Sequence, residues 1–387
     1  MKLLHFADIH IGMENYAKLD PQTGLSTRLL DFFKTFDFIV DTAISEKVDA
    51  VVFAGDAYKN RDPNPTQQRG FGERIKKLAK NNIPTVLVIG NHDTPNAEGK
   101  ANSLDIYSAL EIENVWVSRN PEYLQIPTKS GILQVITLPW LHKNDYQTVA
   151  EKLRSSYEKI NKSDPAILLS HCEVVGAEYG SEKGMAIAND VTIPLSLLQD
   201  RRLTYVALGH IHKHQVLSKP GDIPLILYAG SSQRIDFGEE KEAKGICLVD
   251  IPMPGKVSYQ FIKTNAREFL TITITLKPNE ENPTKIVIDK IKEHDIKDKI
   301  VRIVINIPAE CDKELKMDQI KKELAEANFI AGISRNIEKR QRERIEIGGE
   351  VETLTPIQAL RKYFDSKKYT LEKQKELETL AAKLLES

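Results

Sequence analysis

The stretch that decides the fold is KLLHFADIH, from Lys2 to His10. It begins as an apolar run of the length of a buried strand, and it ends in Asp8 and His10, two residue types that bind metals. A strand that ends in an acid and an imidazole predicts a ligand loop at the edge of a sheet.

The same pattern recurs along the chain. The predicted buried strands cover residues 2–7, 50–54, 85–89, 166–170 and 205–208. The polar side chains that follow them are Asp8 and His10, then Asp56, then Asn91, His92 and Asp93, then His171, and finally His210 and His212. Because ligands in α/β sheets bind beyond the carboxyl ends of the strands, we expect these loops to converge on one site. Residues two apart on an extended segment face the same side, so both Asp-x-His and His-x-His pairs should reach it together.

Helical patterns between these strands make the first part of the chain an α/β domain. The predicted helices cover residues 28–47, 66–81, 103–110 and 145–160. Later strands at 225–229 and 245–250 follow without intervening helices, which predicts a mixed or antiparallel sheet. Residues 251–256, IPMPGK, are rich in residues that break secondary structure and predict a change of module.

A second pattern follows this break. Strands are predicted at 270–276 and 300–307, and helices at 283–294 and 313–327, which together predict a compact α+β unit ending near Ile347. After Gly348 and Gly349 come two charged amphipathic helices, 355–365 and 371–385. We therefore expect three parts: a main domain at 1–255, an α+β domain at 266–347 and a helical segment at 350–387.

Composition is that of an ordinary globular protein, with 387 residues, 41% hydrophobic and 28% charged. The formal net charge is -1, so any nucleic acid must be bound by a local basic surface. Three isolated cysteines indicate neither a disulfide framework nor a zinc knuckle. With no leader pattern and no apolar run of membrane-spanning length, we expect a soluble, cytoplasmic protein that does not enter membranes.

The donor types limit the metal. Carboxylate, imidazole and amide donors without thiolate suit Mn²⁺ or Fe²⁺, with zinc as an alternative. Two ions about 3.5 to 4 Å apart can share a bridging carboxylate and act together on a phosphoryl group. Asp56 is the best candidate for the bridge, and the neutral amide of Asn91 adds a ligand without adding charge. His92 is then free to bind the phosphate or to protonate the leaving oxygen.

Several residues have simpler explanations. Asp8 and His10 alone are a weak motif, and the run GNHD (90–93) could cap a helix, but together the five elements favour a metal site. Cys172 should point away from that site as a small buried hydrophobe. His5 is interpreted as a core histidine, and His214 as a residue that the ligand set does not need. His142 and His294 are interpreted as loop or surface residues. The basic run 335–344 is interpreted as a solvated face, and the alternative is that it contacts DNA phosphates.

Five motifs together resemble the calcineurin-like metallophosphoesterase superfamily: DIH at Asp8, GD at Gly55, GNHD from Gly90, SH at Ser170 and GHIH from Gly209. More narrowly, VVGAEYGSEKG (174–184), ALGHIHKHQVL (207–217) and GSSQRIDFGEEKEAKG (230–245) resemble the SbcD family, the nuclease subunit of the SbcCD DNA-repair complex. The resemblance implies a four-layer αββα sandwich with a smaller capping domain and a C-terminal helical hairpin.

The resemblance also implies an activity: an Mn²⁺-dependent 3′ to 5′ exonuclease on double-stranded DNA and an endonuclease on single strands or hairpins. It implies two metal ions, with His92 beside the scissile phosphate. The implied metal ligands are Asp8, His10, Asp56, Asn91, His171, His210 and His212. The implied partners are DNA, an SMC-like ATPase of the SbcC type and a second copy of the chain, paired through helices 66–81 and 103–110. This chain departs from some relatives in having Lys59 where they have a second catalytic histidine.

The C-terminal helices carry apolar stripes of their own. Ile357, Leu360 and Phe364 recur at helical spacing on one, and Leu377, Leu380 and Leu384 on the other. We interpret the hairpin as a docking element for the ATPase, with folding back onto its own chain as the alternative.

Two other functions compete with a DNA nuclease. A phosphoesterase acting on small molecules or proteins would not need the capping domain or the charged C-terminal helices. A scaffold that keeps only the fold would have a damaged ligand set, and no ligand is missing here.

Overall fold

The computed structural model of the protein describes residues 1–95, 99–141, 146–180, 191–309, 311–338, 355–366 and 369–385. The strands are β1 (Lys2–Phe6), β2 (Ala50–Phe53), β3 (Thr85–Val88), β4 (Val115–Ser118), β5 (Glu122–Thr128), β6 (Gly131–Leu138), β7 (Ala166–His171), β8 (Glu173–Val174), β9 (Thr192–Ile193), β10 (Tyr205–Gly209), β11 (Gln215–Val216), β12 (Leu225–Tyr228), β13 (Gly245–Met253), β14 (Lys256–Lys263), β15 (Phe269–Thr275), β16 (Ile300–Pro308) and β17 (Phe329–Glu338). The helices are α1 (Thr27–Ser45), α2 (Pro65–Lys80), α3 (Asp105–Ala109), α4 (Tyr146–Glu158), α5 (Leu195–Leu198), α6 (Pro283–Lys292), α7 (Met317–Glu323), α8 (Pro356–Ser366) and α9 (Leu371–Leu385).

Two mixed sheets form the main domain. The first has the order β14-β13-β1-β2-β3-β4, and the second β11-β12-β10-β7-β6-β5. The ligand-bearing strands are central and parallel in each sheet, β1 to β3 in the first and β7 beside β10 in the second. The later strands β12 and β13 add antiparallel pairs to these sheets, which agrees with the first of the two predicted alternatives, a mixed or an antiparallel sheet.

The layers are those of the predicted αββα sandwich. Aromatic residues of α1 and α2, such as Phe36 and Phe71, pack on the outer face of the first sheet. A second core, including Val52 and Leu169, fills the space between the sheets, and a third joins α4 to the outer face of the second sheet. Each fully buried valine, leucine or phenylalanine side chain stabilises the fold by about 1.5 to 3 kcal/mol. The sandwich therefore holds the strand ends in place.

The capping unit, residues 269–338, forms a separate core. Its strands β15, β16 and β17 form a sheet in chain order, and every pairing is parallel, so α6 and α7 are crossover helices. The sequence predicted two strands and two helices of this α+β unit but neither the third strand, β17, nor the parallel direction of the strands. Its apolar side chains, such as Ile303 and Val287, form a cluster distinct from those of the sandwich.

Three predicted boundaries need correction. Residues 251–256 do not divide two modules, because they contain the turn between β13 and β14, which pair in the first sheet. The helix predicted at 313–327 is shorter, since the Lys316 N–H donates to Thr284 Oγ1 at 2.9 Å and α7 begins only at the next residue. The helix predicted at 103–110 starts at Asp105 because Asn102 Oδ1 accepts the N–H groups of Leu104 and Asp105 in a turn.

The C-terminal helices α8 and α9 pack on each other. Arg361 donates to both carboxylate oxygens of Glu378 at 2.8 and 3.0 Å, and Phe364 is buried. Leu380 stays 59% exposed, so the hairpin covers only part of its own apolar stripes. Gly348 and Gly349 lie outside the described residues. Within the described part of the chain, none of the helices has the length and apolar character needed to cross a bilayer.

Candidate metal centre

The seven predicted ligands come together where the central strands of the two sheets end. Asp8 and His10 follow β1, Asp56 follows β2 and Asn91 follows β3, while His171 ends β7. His210 and His212 follow β10, the parallel neighbour of β7. All seven lie in one cluster, and all but the partly exposed His210 are buried.

Glycines allow the loops to approach this closely. A Cβ atom on Gly90 would lie 2.0 Å from Asp56 Oδ1, and one on Gly209 would lie 2.0 Å from the Ala54 carbonyl oxygen. Neither distance is sterically allowed, so any side chain at these positions would push the ligand loops apart. The glycines of the motifs are therefore required by close packing.

The backbone at the ligands is not extended, which corrects the expectation based on alternating residues. Asp8, His10, Asp56 and His210 have φ values of 50°, 53°, 61° and 98°. Residues other than glycine rarely adopt this left-handed region, and each costs on the order of 1 kcal/mol or more. Such strain gathers at functional sites, where the surrounding fold holds it in place, and here it turns each side chain toward the cluster.

One group of ligands surrounds His10. Its Nε2 lies 3.0 Å from His212 Nε2 and 3.6 Å from Asp56 Oδ2. Donor atoms of Asp8, His10 and His212 all lie within 4.8 Å of one another. The second ring nitrogen of His212, Nδ1, donates to Glu239 Oε1 at 2.8 Å, which leaves Nε2 as a lone-pair donor for a metal.

A second group surrounds His171. Its Nδ1 donates to the Ala54 carbonyl at 2.7 Å, so its Nε2 carries a lone pair. That nitrogen faces Asn91 Oδ1 at 2.9 Å and Asp56 Oδ2 at 3.6 Å, and His210 Nδ1 lies 3.2 Å from Asn91 Oδ1. The lone pair of His171 Nε2 therefore faces two oxygen acceptors in a buried site, and a cation between these atoms would stabilise that arrangement. The residues present therefore fit a divalent metal.

Without a metal, burial favours the metal-binding charge state of His10 and His171 but opposes that of the carboxylates. Burial lowers the pKa of His171 to about 4 and holds that of His10 well below its usual range, which disfavours the charged form of both imidazoles. Burial opposes ionisation of Asp56, but the interactions with His171, His92 and His10 outweigh it and depress the pKa of that carboxyl. For Asp8, burial prevails and raises the pKa to about 7. Divalent cations would relieve the cost of burying these carboxylates together.

His92 lies beside the first group with its ring fixed. Its Nδ1 donates to the Lys59 carbonyl at 2.7 Å, and its backbone N–H donates to Asp56 Oδ1 at 2.9 Å. The ring is half-buried and lies edge-on to His10, with centroids 4.9 Å apart. A donor atom of His92 also lies within 4.8 Å of those of His10 and Asp56, so its position suits either a metal or a phosphate.

Asp93 has a role that the sequence did not reveal. Its buried carboxylate accepts the N–H groups of Asp56 and Gly90 at 2.9 Å and that of Ala57 at 3.0 Å. It therefore ties the loop after β2 to the loop after β3. Its place after a buried strand predicted a metal-binding side chain, whereas its oxygens are engaged with the backbone.

Residues that the sequence set aside lie apart from these two groups. Cys172 packs in the core of the second sheet, and His214 stacks on Phe261 with ring centroids 4.2 Å apart. His5 is a core residue whose Nδ1 contacts Tyr205 Oη at 2.7 Å, although its Nε2 has no partner. His294 Nδ1 donates to the Lys290 carbonyl at 3.0 Å in the capping unit. His142 and residues 339–344 of the basic run lie outside the described residues, and Arg335 of that run pairs with Asp312.

Glu239 and Lys244 are two further residues that sequence reasoning missed. Both are buried, and Lys244 Nζ lies 3.0 Å from Glu239 Oε2. They stand in the charged run GEEKEAKG, which looks like a solvated surface segment. The only hint in the sequence is the pair of apolar residues Ile235 and Phe237 just before the run, and it does not tell which of the two following glutamates is buried.

Comparison with known proteins agrees with this geometry. The family model described as calcineurin-like phosphoesterase matches residues 1–214. The SbcD component of the nuclease SbcCD of Bacillus subtilis is 26% identical over 282 residues, which cover 67% of this chain and 68% of that protein. The DNA double-strand break repair protein Mre11 of Sulfolobus acidocaldarius is 28% identical over 305 residues, covering 77% and 72%, and that of Saccharolobus solfataricus is 26% identical over 342 residues, covering 86% and 80%.

Proposed function

The chain belongs to the calcineurin-like phosphoesterase family, and we propose that it is the nuclease component of a DNA double-strand-break repair complex. As a family member it is a metal-dependent phosphodiesterase, similar to the SbcD and Mre11 nucleases. One observation carries the mechanistic part of the proposal. Asp56 Oδ2 lies 3.6 Å from His10 Nε2 and 3.6 Å from His171 Nε2, midway between the two ligand groups.

In the proposed mechanism Asp56 would serve both of two ions. His10 and His212 would hold one, Asn91, His171 and His210 would hold the other, and Asp8 would add a carboxylate. When bound, two divalent ions supply positive charge at the attacking and leaving oxygens of a phosphodiester. The mixed nitrogen and oxygen donors favour Mn²⁺, with Fe²⁺ as the alternative.

His92 acts on the substrate in this scheme. Its Nδ1–H is held by the Lys59 carbonyl, so the ring can present Nε2 to the phosphate. In its imidazolium form the ring also carries a proton on Nε2, which can donate a hydrogen bond to a phosphate oxygen or pass to the leaving oxygen. Lys59 itself is half-buried and contributes to lowering the pKa of His10, after the larger effect of burial. Its carbonyl contact with His92 places the residue beside the site, where its charge is proposed to attract a phosphate in place of the histidine of some relatives.

DNA is the proposed substrate, cut 3′ to 5′ from duplex ends and internally at single strands or hairpins. The relatives and the capping unit support this choice over a small-molecule or protein phosphoester. Because the net charge is only -1, binding must rest on local basic groups, and its affinity should fall with salt.

Two assembly partners complete the proposal. An SMC-like ATPase would dock on the hairpin of α8 and α9, whose Leu380 and Leu371 are exposed. A second copy would pair through the region of α2 and α3. In α2 the apolar Phe71 faces the core, whereas α3 exposes Ile106 and its neighbour Leu110 is 65% exposed, so α3 supplies the apolar part of that face. A cytoplasmic location remains a prediction from the sequence.

One experiment separates the candidate functions. The purified chain is incubated with end-labelled duplex, hairpin and single-stranded DNA and with bis-p-nitrophenyl phosphate, in Mn²⁺ or Mg²⁺, beside an Asp56→Asn variant. We expect Mn²⁺-dependent cleavage of DNA that the variant lacks. Hydrolysis of the small ester with no DNA cleavage would favour the small-molecule phosphoesterase, and no hydrolysis of either would refute the enzyme.

A further inference from the structure

The residues around Glu239 connect the metal centre to the capping unit. The short 3-10 helix Phe237–Glu239, with its flanking Asp236 and Glu240, forms what we call the linking turn. Successive side chains of this turn point to different neighbours. Glu239 contacts a predicted metal ligand, whereas Phe237 and Glu240 contact the capping unit.

On the metal side the contact is a buried carboxylate. Glu239 Oε1 accepts from His212 Nδ1 at 2.8 Å, and Oε2 accepts from the Ile235 N–H at 2.9 Å. Lys244 lies 3.0 Å from the same carboxylate, and its Nζ also donates to the His212 carbonyl at 3.3 Å. Glu239 and Lys244 together therefore fix both the ring and the backbone of His212.

On the capping side the linking turn makes one contact through the face of an aromatic ring and two hydrogen bonds through a carboxylate. The guanidinium of Arg302, on β16, lies 4.2 Å above the Phe237 ring. Glu240 accepts the N–H of Thr271 at 2.9 Å and its Oγ1–H at 2.6 Å, and Arg302 donates to the same Oγ1 at 3.0 Å. Thr271 lies on β15, so two strands of the capping sheet hold the linking turn.

The loop after His10 joins the same junction. Tyr16 packs edge-on against Phe237 and against Phe269 and Phe329, which begin β15 and β17, with centroids 5.4, 5.7 and 6.3 Å apart. Tyr16 has a φ of 63°, so the fold holds it in a strained conformation. The loop that follows His10 and the carboxylate that contacts His212 thus both lie at the junction with the capping unit. The hydrogen bonds of His171 run instead to the sandwich, at Ala54, and to the cluster itself, at Asn91.

We propose that Glu239 is a positioning residue for His212 and that the capping unit, through the linking turn, tunes metal binding in the group of Asp8, His10 and His212. A shift of the capping sheet would move Phe237 and Glu240, and with them the carboxylate that fixes His212. The second group would keep its affinity. The inference rests on the metal-binding part of the proposed function and is independent of the nucleic-acid substrate.

The test compares three variants of the full chain by calorimetric titration with Mn²⁺. Glu239→Gln removes the charge that orients His212, and loss of such a partner weakens metal binding about 10- to 100-fold. Arg302→Ala removes the contact with the Phe237 ring and the hydrogen bond to Thr271 Oγ1 but leaves the bonds between Thr271 and Glu240, and we expect one of the two sites to weaken about 3- to 10-fold. Arg335→Ala, which breaks the ion pair with Asp312 inside the capping unit, is the matched control and should bind as the wild type does.

A second measurement needs no metal. Nitrogen-15 spectra of the metal-free protein should show His212 as the Nδ1–H tautomer in the wild type, and a mixture of tautomers in Glu239→Gln. Arg302→Ala should shift the same signals by a smaller amount, and Arg335→Ala should not. The inference would be overturned if Arg302→Ala changed neither the His212 signals nor the Mn²⁺ titration. It would also be overturned if the variants weakened both metal sites equally. Failure of the proposed nuclease activity alone would leave these two measurements unaffected.

Discussion

Asp93 offers the sharpest test of how the metal centre is organised. Its carboxylate accepts three buried N–H groups at 2.9 to 3.0 Å, from Asp56, Gly90 and Ala57. Asp93→Ala leaves all three donors without a partner, and each buried orphan costs about 1 to 3 kcal/mol. Allowing for some relaxation, we expect the free energy of unfolding to fall by roughly 3 to 6 kcal/mol.

The same substitution should affect metal binding, because the three N–H groups belong to the loops that carry Asp56 and Asn91. Asp93→Asn is the milder variant. Its amide oxygen still accepts hydrogen bonds from the backbone N–H groups, but its NH₂ group faces other N–H donors and cannot bond to them. We expect it to lose about half as much stability and to bind Mn²⁺ measurably more weakly. It keeps the prediction testable should the alanine variant not fold.

Urea unfolding followed by circular dichroism gives the stability, and calorimetric titration gives the Mn²⁺ stoichiometry. Asp105→Ala is the matched control, because Asp105 also accepts a backbone N–H, that of Asn102 at 2.8 Å, but lies away from the ligands. It should cost about 1 kcal/mol and leave metal binding unchanged. The reasoning would be refuted if Asp93→Ala had the same free energy of unfolding as this control and still bound two Mn²⁺ ions with wild-type affinity.

Three further predictions concern the substrate and the partners. His92→Ala should keep both Mn²⁺ ions by titration yet lower hydrolysis at least ~100-fold, since the ring is assigned to phosphate; loss of one ion would make His92 a ligand instead. Leu110→Glu should convert a dimer into a monomer in light scattering at micromolar concentration, and a wild-type monomer would contradict the pairing. Deleting residues 350–387 should abolish co-purification with an SbcC-type ATPase while preserving hydrolysis of a small phosphodiester. If the shortened chain still bound the ATPase, the docking site would lie elsewhere.

The main features of the site could be predicted because each is encoded locally. An apolar run such as 50–54 or 85–89 specifies a buried strand, and the polar residue after it must lie at the sheet edge. The mixed sheets followed from the missing helices after Leu225. What failed was the reasoning inside the loops, because nothing in the residue types of Asp8 or His10 signals a left-handed backbone. That conformation is imposed by contacts such as the Asp8 N–H to the Gly55 carbonyl at 3.0 Å.

Errors in the secondary structure have a similar origin. The strand β14 was missed because it lies at the edge of its sheet and is half polar, and the breakers Pro254 and Gly255 that marked its hairpin turn looked like a linker. The late start of the helix predicted at 313–327 depends on Thr284, which lies far back along the chain. Local patterns cannot encode either feature, since both are decided by partners that only the folded chain supplies.

Glu239 shows where this limit affects function. As a sequence position it is one of several acids in a charged run, and only the fold distinguishes it from Glu240. It is buried against His212 and Lys244 at the candidate metal centre, while its neighbour one residue later contacts Thr271 of the capping unit. Ligands can be recognised by type because metals demand particular donor atoms. The residues that orient ligands can be of any type that completes a hydrogen bond, so they become visible only once the distances are known.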